Sequence, residues 1–180
     1  MSGRRLFFAL WPDRSQQVAL ECATRDLCAD SGGRSVPCQN LHLTLAFLGS
    51  VSGERVGRVE AAGNAVAGDF RPTRAQIVFT LDRVEYWRKA RVLCATGSIS
   101  VASRLAEALK SHLITDGFAP DPKPFRPHVT LVRNAARGPG QRQIDRVDWS
   151  FGGFALVDSK TGPQGSVYTV LNTFNIAGGP

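Results

Sequence analysis

Two short segments of the chain repeat one pairing of side chains, a histidine followed two places later by a threonine. They are His42-Leu-Thr-Leu45 and His128-Val-Thr-Leu131, and they use two of the three histidines among 180 residues. Each lies a few residues after a proline, at the start of a predicted strand. Because residues i and i+2 project from the same face of a strand, each segment presents an imidazole beside a hydroxyl.

Two imidazoles facing one another across a cleft are suited to displacement at phosphorus. Imidazole titrates near neutral pH, so one ring can accept a proton from the attacking oxygen while the other donates a proton to the leaving oxygen. Threonine hydroxyls can donate hydrogen bonds to the phosphate oxygens. We therefore predict His42 and His128 as the acid/base pair and Thr44 and Thr130 as phosphate ligands, with no metal and no cofactor.

Other interpretations of the histidines remain open. Both could be ordinary strand residues with satisfied hydrogen bonds, or they could bind zinc. The zinc interpretation is the weaker, because neither four-residue segment contains an Asp, Glu or Cys and catalytic zinc usually takes three protein ligands. The third histidine, His112, lacks a threonine two places later and is predicted to be a solvated or half-buried helix residue.

The elements that would position these segments alternate without a regular β-α-β order, which predicts an α+β fold with mainly antiparallel sheets covered by helices. Asp13 is predicted to cap the first helix, whose buried stripe would contain Val18, Leu20, Ala23 and Leu27. The order in which strands pair does not follow from the sequence. We predict strands over 6–11, 41–48, 74–81, 91–96, 128–133, 147–158 and 165–176, and helices over 13–30, 52–67 and 99–115.

Two details of the strands bear on the site. The alternation in 41–48 predicts that the odd positions from Leu43 to Phe47 face the core and the even positions from His42 to Ala46 face the opposite side. The charged stretch 82–89 is predicted to form a long hairpin end or a short strand. A Gly/Pro turn is predicted at 161–165.

The sequence resembles the 2H phosphoesterases, and among them the RNA 2′,3′-cyclic phosphodiesterases, also called 2′-5′ RNA ligases. Three segments carry this resemblance, in the family's order and spacing: Arg5-Leu-Phe-Phe-Ala-Leu10, Asn40 to Gly49 around the first histidine, and Phe125 to Arg133 around the second. The resemblance therefore spans nearly the whole chain, and the middle segment is a highly specific signature.

The resemblance implies one bilobal α+β domain over residues 1–180, a pseudo-twofold duplication with one His-x-Thr segment per lobe and the active-site cleft between the lobes. It implies hydrolysis of an RNA or nucleotide 2′,3′-cyclic phosphate to a 2′-phosphate, with reversible 2′-5′ joining as a side reaction. It also implies that Arg133 contacts phosphate or base and that Trp11 lies near an aromatic platform for a nucleobase. Strict alternation would put Arg133 on the face opposite His128, so this role requires the strand to end or twist there.

The chain carries a formal charge of +7, which favours an anionic partner, and 18 of its 22 basic residues are arginine, a bidentate phosphate binder. The segment 122–144 contains five basic residues and no acidic one. Its members Arg126 and Arg133 flank the second histidine and are predicted to bind an RNA backbone, whereas Arg137 and Arg142 could equally lie in a solvated loop. Another small cyclic phosphoester as substrate and a non-catalytic RNA-binding module remain alternatives.

Composition excludes several other classes. No run approaches the roughly 18 apolar residues of a membrane span, and the N-terminal apolar run is too short for a signal peptide. The four cysteines form no C-x-x-C pair, which predicts reduced thiols and a cytoplasmic location. No P-loop and no G-x-G-x-x-G follows a predicted strand, so ATP or dinucleotide binding has no support. We expect a monomer.

Overall fold

The computed structural model describes residues 3–71, 77–98, 101–162 and 165–176. Within these ranges the helices are α1 (Arg14–Ala29), α2 (Val56–Asp69) and α3 (Val101–Thr115). The strands are β1 (Arg4–Leu10), β2 (Arg34–Ser35), β3 (Leu43–Val51), β4 (Ile77–Trp87), β5 (Val92–Ser98), β6 (Val129–Arg133), β7 (Gln141–Phe151), β8 (Gly153–Gly162) and β9 (Gly165–Asn175).

These elements differ from the predicted ones in several places. The short strand β2 was not predicted, and α2 begins at Val56 rather than at residue 52. The strand predicted over 147–158 is two strands, β7 and β8, which turn at Gly152. The charged stretch 82–89 is largely strand, because β4 continues through it to Trp87. Residues 74–76, 99–100 and 163–164, which belong to the predicted third strand, third helix and last turn, lie outside the described residues.

One antiparallel sheet contains every described strand, in the order β7-β4-β5-β6-β3-β1-β8-β9, with β2 paired to β6. The predicted α+β class with mainly antiparallel pairing is therefore confirmed, although the strands form one continuous sheet rather than separate ones. The two strands that follow the histidines, β3 and β6, are neighbours at its centre. Their junction is a single residue pair, Leu43 with Val129.

The sheet has two similar halves on either side of this junction. From the centre outward, one half runs β3, β1, β8, β9 and the other runs β6, β5, β4, β7. Each half therefore starts with a His-x-Thr strand and continues through three antiparallel neighbours, as a duplicated fold requires.

A β-bulge interrupts each His-x-Thr strand at the same position of the repeat. In the pairing with β1, Thr44 lies opposite Ala9 and Ala46 opposite Phe8, so Leu45 is an extra residue. In the pairing with β5, Thr130 lies opposite Cys94 and Val132 opposite Leu93, which makes Leu131 the extra residue. An extra residue shifts the side-chain alternation of everything after it.

The bulges change which residues face the cleft. Leu45 and Ala46 both pack in the core, so Phe47 emerges on the side of Thr44 and the prediction that Phe47 is a core residue is wrong. By the same shift Leu131 and Val132 both enter the core. Arg133 then lies on the side of Thr130, which removes the conflict with strict alternation.

Helix α1 begins as predicted. The Asp13 side chain accepts a hydrogen bond from the Gln16 backbone N–H at 2.9 Å, and the Gln16 side chain accepts one from the Asp13 N–H at 3.1 Å, which is a capping box. Its predicted stripe is confirmed at Leu20, which is buried, and at Ala23 and Leu27, which pack on the core. Val18 is 37% exposed, so the prediction is wrong there, and Gln17 is buried in its place.

Gln17 also connects α1 to the site. Its amide nitrogen donates to the backbone carbonyls of Gln39, at 3.1 Å, and Leu41, at 3.3 Å. A polar side chain at a core position is tolerated because these bonds satisfy it. The contact fixes the short turn Cys38–Asn40, which leads directly into His42.

The helices connect the two halves around the main apolar core. Helix α1 packs on β7 of the opposite half and α3 packs on β3. The indole N–H of Trp149 on β7 donates to the Gln16 carbonyl at 2.9 Å, and the Gln16 amide donates to the Ser150 carbonyl at 3.2 Å. No helix among the described residues is long and apolar enough to cross a membrane.

Candidate active site

The central cleft brings five of the seven predicted site residues together. Their side chains line a cavity of about 360 Å³ at the junction of β3 and β6, with Arg5, Phe47 and Tyr168 among its other walls. The five are His42, Thr44, His128, Thr130 and Arg133. The remaining two predicted residues, Trp11 and Arg126, lie beside the histidines rather than in this cavity.

Both imidazoles are oriented by the same kind of backbone bond. His42 Nδ1 lies 2.6 Å from the carbonyl oxygen of Asn40, and His128 Nδ1 lies 2.7 Å from that of Arg126. A carbonyl can only accept, so each Nδ1 carries the proton. In the neutral ring Nε2 is then the free acceptor, which is the atom that a base in the cleft requires.

Aromatic rings surround His42. The indole of Trp11 stacks on it in parallel, with ring centroids 5.0 Å apart and planes at 8°. The rings of Phe7 and Tyr168 each lie 5.1 Å away. One face of the Trp11 indole therefore covers the His42 imidazole.

Burial in these surroundings lowers the pKa of His42 to about 4, and the positive charges of Arg133 and His128 act in the same direction against the bond to Asn40. The neutral ring, which can act as a base, is the form present at neutral pH.

His128 has a different neighbourhood, which contains charges. Its ring lies 4.6 Å from that of Trp87, and the Arg126 guanidinium covers the Trp87 ring at 4.1 Å. Burial is the main cause that lowers the pKa of His128, and Arg126 and Arg133 contribute. Arg126 thus packs on Trp87, the ring beside His128. Arg126 and His128 also line a wider groove that extends from the cleft.

Glu85 holds Trp87 and Arg126 in place. Its carboxylate accepts hydrogen bonds from the Trp87 indole N–H and the Thr96 hydroxyl, each at 3.0 Å, and pairs with Arg126. Burial opposes the ionisation of Glu85, but these bonds and the Arg126 charge hold the pKa of the carboxyl below its usual value.

Comparison with known proteins identifies the family. Residues 10–94 match the model of the LigT-like phosphoesterases. A Thermus thermophilus protein named RNA 2′,3′-cyclic phosphodiesterase is 34% identical over 184 residues, which cover 97% of this chain and 91% of the relative. This chain belongs to the LigT-like phosphoesterase family. An Escherichia coli protein of the same name is 36% identical over 141 residues, 74% of this chain and 73% of the relative.

Solved structures share the fold of this LigT-like phosphoesterase. E. coli LigT complexed with 3′-AMP superposes with a TM-score of 0.83 at 28% identity, over 97% of this chain and 99% of that one. TT0787 of Thermus thermophilus gives 0.81 at 32% identity, over 97% and 98%. The α+β class predicted from the sequence is that of these structures.

Several residues that surround the two histidines were not singled out from the sequence. Phe7 and Arg5 lie within a segment that carried the family resemblance, yet nothing marked them individually. Glu85 and Trp87 lie two residues apart on β4, so strand periodicity alone places them on the same face. They fall, however, in the stretch 82–89, for which the sequence left two structures open. Tyr168 is far from both histidines in the chain, and only the position of β9 beside β8 brings it to His42.

Proposed function

We propose that this phosphoesterase hydrolyses the 2′,3′-cyclic phosphate at an RNA end to a 2′-phosphate by a two-histidine mechanism. The observation that carries the proposal is the pair of imidazoles in one cleft, each fixed through Nδ1 and each beside a threonine. The curated relatives named RNA 2′,3′-cyclic phosphodiesterase support the choice of substrate.

In this mechanism a water molecule attacks the phosphorus atom. Nε2 of one histidine accepts the water proton, and Nε2–H of the other donates a proton to O3′ as the P–O3′ bond breaks. The product has a 2′-phosphomonoester and a 3′-hydroxyl, and no other reactant is consumed. Thr44 and Thr130 donate hydrogen bonds to the non-bridging oxygens, while Arg133 offsets their negative charge.

The acid of the pair must acquire its proton in the complex. Burial disfavours the charged form of both rings, whereas an anion within a few ångströms favours it. Binding of the cyclic phosphate therefore promotes the protonation that cleavage needs. The same two groups would support 2′-5′ joining of RNA ends when a 5′-hydroxyl takes the place of water: one histidine accepts the hydroxyl proton as the P–O5′ bond forms, and the other protonates O3′ as the P–O3′ bond breaks. Because no water is consumed, this exchange can run in either direction.

Trp11 and Arg126 keep a proposed place at the edges of the substrate. Trp11 borders a neighbouring pocket of about 270 Å³, which leaves indole surface for a nucleobase beyond its contact with His42. Arg126 is 61% exposed at its side chain and lines the groove beside His128, where its guanidinium can face a backbone phosphate or stack on a base.

The test is product analysis on an oligoribonucleotide with a 2′,3′-cyclic phosphate, with EDTA present. We expect the 2′-phosphate as sole product, and a rate reduction of about 10²- to 10⁴-fold in His42→Gln and in His128→Gln. His112→Gln is the matched control, because His112 lies on α3 away from the cleft. Full activity in the double variant of the cleft histidines would exclude the mechanism, and RNA binding without turnover would favour the binding-module alternative.

A further inference from the structure

The cleft does not end at His42 but continues along β8 and β9. A second cavity of about 230 Å³ adjoins the first, since six residues line both: Arg5, His42, Thr44, Phe47, Arg133 and Tyr168. Its outer wall consists of three hydroxyl side chains, Ser159 and Thr161 of β8 and Ser166 of β9. The proposed reaction at a single phosphate makes no use of this wall.

The hydroxyl groups of this wall have no hydrogen-bond partner within the part of the chain that the structure describes. Ser159 is only 8% exposed, so its hydroxyl lies against the cavity and not in bulk solvent. Ser166 takes part in a bond only through its backbone carbonyl, which accepts from the Asn40 amide at 3.3 Å. Ser159 is buried and Ser166 half-buried at the cavity, while Thr161 is exposed at its edge. Hydroxyl donors that line one cavity without internal partners can meet an acceptor from outside the chain.

Arg5 supplies a positive charge to the same cavity. Its guanidinium lies over the Phe47 ring, 4.9 Å from the centroid, and no carboxylate of the described residues pairs with it. The adjacent Arg4, by contrast, donates to Asp158 at 3.1 Å. Of these two successive residues of β1, Arg4 therefore pairs with a carboxylate and Arg5 faces the cleft.

The two bulges explain how Arg5 and Arg133 both come to line the cleft. Phe47 and Arg133 occupy equivalent positions, five residues after the histidine of each repeat. On β6 that position is itself an arginine, Arg133. On β3 it is Phe47, and the Arg5 guanidinium packs on the Phe47 ring. Arg133 is likewise unpaired within the described residues, and the acidic residue of the first cavity, Asp121, faces Lys123 at 3.8 Å. A cyclic phosphate brings one negative charge to two guanidinium groups.

We propose that Arg5, Ser159, Thr161 and Ser166 form a second phosphate subsite, which binds the phosphodiester preceding the terminal nucleotide. This inference rests on the proposed function, since it needs the cyclic phosphate at the histidines. A guanidinium with neighbouring hydroxyls is the donor set that a backbone phosphate takes. The subsite makes the preferred substrate a polynucleotide end, because a nucleoside 2′,3′-cyclic phosphate has no second phosphorus to occupy it.

The test compares kcat/KM for two substrates: a dinucleotide ending in a 2′,3′-cyclic phosphate and the corresponding nucleoside 2′,3′-cyclic phosphate. We expect the wild-type enzyme to favour the dinucleotide, and Arg5→Met to lower the dinucleotide-to-mononucleotide ratio by about 10- to 100-fold, as for loss of a charged hydrogen bond. Ser159→Ala should lower the ratio in the same direction. Arg133→Met should lower kcat/KM for both substrates with little change in their ratio. Arg142→Met, on β7, is the control for the loss of one positive charge.

The outcomes separate this subsite from the function on which it rests. An enzyme that opens both substrates, but with a ratio near one or with a ratio that Arg5→Met and Ser159→Ala leave unchanged, overturns the subsite and keeps the proposed function. An enzyme that opens neither substrate overturns both. Circular dichroism of each variant distinguishes a lost contact from a lost fold.

Discussion

At the scale of residues, the two histidines make the same kind of hydrogen bond to the backbone but have different side chains around them. Each Nδ1–H donates to the carbonyl two residues earlier. His42 is then enclosed by Trp11, Phe7 and Tyr168, whereas His128 meets Trp87 and the charge of Arg126. A duplicated strand has thus produced two imidazoles with separate electrostatic environments, which is what a pair with opposite proton-transfer duties requires.

The titration of His42 tests this difference directly. We expect its imidazole nitrogens to titrate in two-dimensional NMR spectra with a midpoint at about pH 4, because burial disfavours the imidazolium. Since the unfolded chain protonates near pH 6.5, the stability that this group contributes is complete above that pH and declines as pH falls toward 4. Added inorganic phosphate should raise the midpoint. Assignment comes from His42→Gln, and a midpoint near 6.5 would contradict the enclosed site.

Glu85→Gln tests the support of the second histidine. The variant keeps the shape of the side chain but leaves the Arg126 charge unpaired and weakens the bond from Trp87. Because the charge of Arg126 lowers the pKa of His128, we expect the pH limb of activity that belongs to His128 to move to lower pH, with kcat/KM reduced by about 10- to 100-fold. Asp148→Asn is the control, since Asp148 also binds an arginine and a threonine but lies on β7. An unchanged pH profile would limit Glu85 to a structural role.

The sequence was sufficient to place the two histidines and their threonines together, but not to predict the side chains that surround them. His42 and Thr44 could be placed on one face from the period of a strand alone, and the repeat at His128 made the pairing specific. Trp87 and Tyr168 could not be placed, because each reaches a histidine only through the order of strands in the sheet. That order depends on long-range pairing, which no local pattern contains.

At the scale of elements, one extra residue in each central strand decides the composition of the cleft. Leu45 and Leu131 bulge at matching positions, so Phe47 and Arg133 face the cavity that contains the two histidines and not the core. A sequence read alone shows only a regular alternation there. The bulge exists in the pairing with β1 and β5, which is why the sequence predicted Phe47 wrongly and left the side of Arg133 unsettled.

Gln17→Ala tests how α1 positions the first histidine. Removing the amide leaves the carbonyls of Gln39 and Leu41 without their donor in a buried place. We expect the free energy of unfolding in urea to fall by about 1–3 kcal/mol, together with a lower kcat, since the turn before His42 loses its anchor. Gln39→Ala removes an exposed side chain of the same turn and should change neither quantity. Equal stability of the two variants would show that the contact holds nothing in place.

At the scale of the molecule, the two halves are held by their helices more than by the sheet. Their strands meet at one residue pair, yet a single apolar core contains residues from both halves and from α1, α2 and α3. Because each of α1 and α3 packs on the half opposite to its neighbouring strands in sequence, the main apolar core belongs to both halves. Only a small second cluster, made of Phe7, Ala9, Ala155 and Val157, lies within one half. We propose on this ground that residues 1–180 fold as one domain.

The net charge also acquires a location at this scale. The basic segment 122–144 does not form one surface: Arg126 pairs with Glu85, Arg137 donates to the Asp30 carbonyl at 2.7 Å, and Arg142 lies on the outer strand β7. The arginines left without a carboxylate at the cleft, within the residues that the structure describes, are Arg133 and Arg5, which lie far apart in the chain. The positive charge that matters for the proposed substrate is therefore assembled by the fold, and the salt dependence of binding should report these two contacts.

Trp149→Phe tests the unity of the fold. Trp149 is fully buried on β7, and its indole N–H bonds to Gln16 of α1, so it connects the halves through a polar contact as well as by packing. We expect the free energy of unfolding to fall by about 1–3 kcal/mol, from the lost indole hydrogen bond and the smaller ring. The NMR signals of His42 and His128 should disappear at one shared denaturant concentration, lower than in the wild type. Two separate transitions, one for each histidine, would show that the halves are independent units and that α1 does not join them.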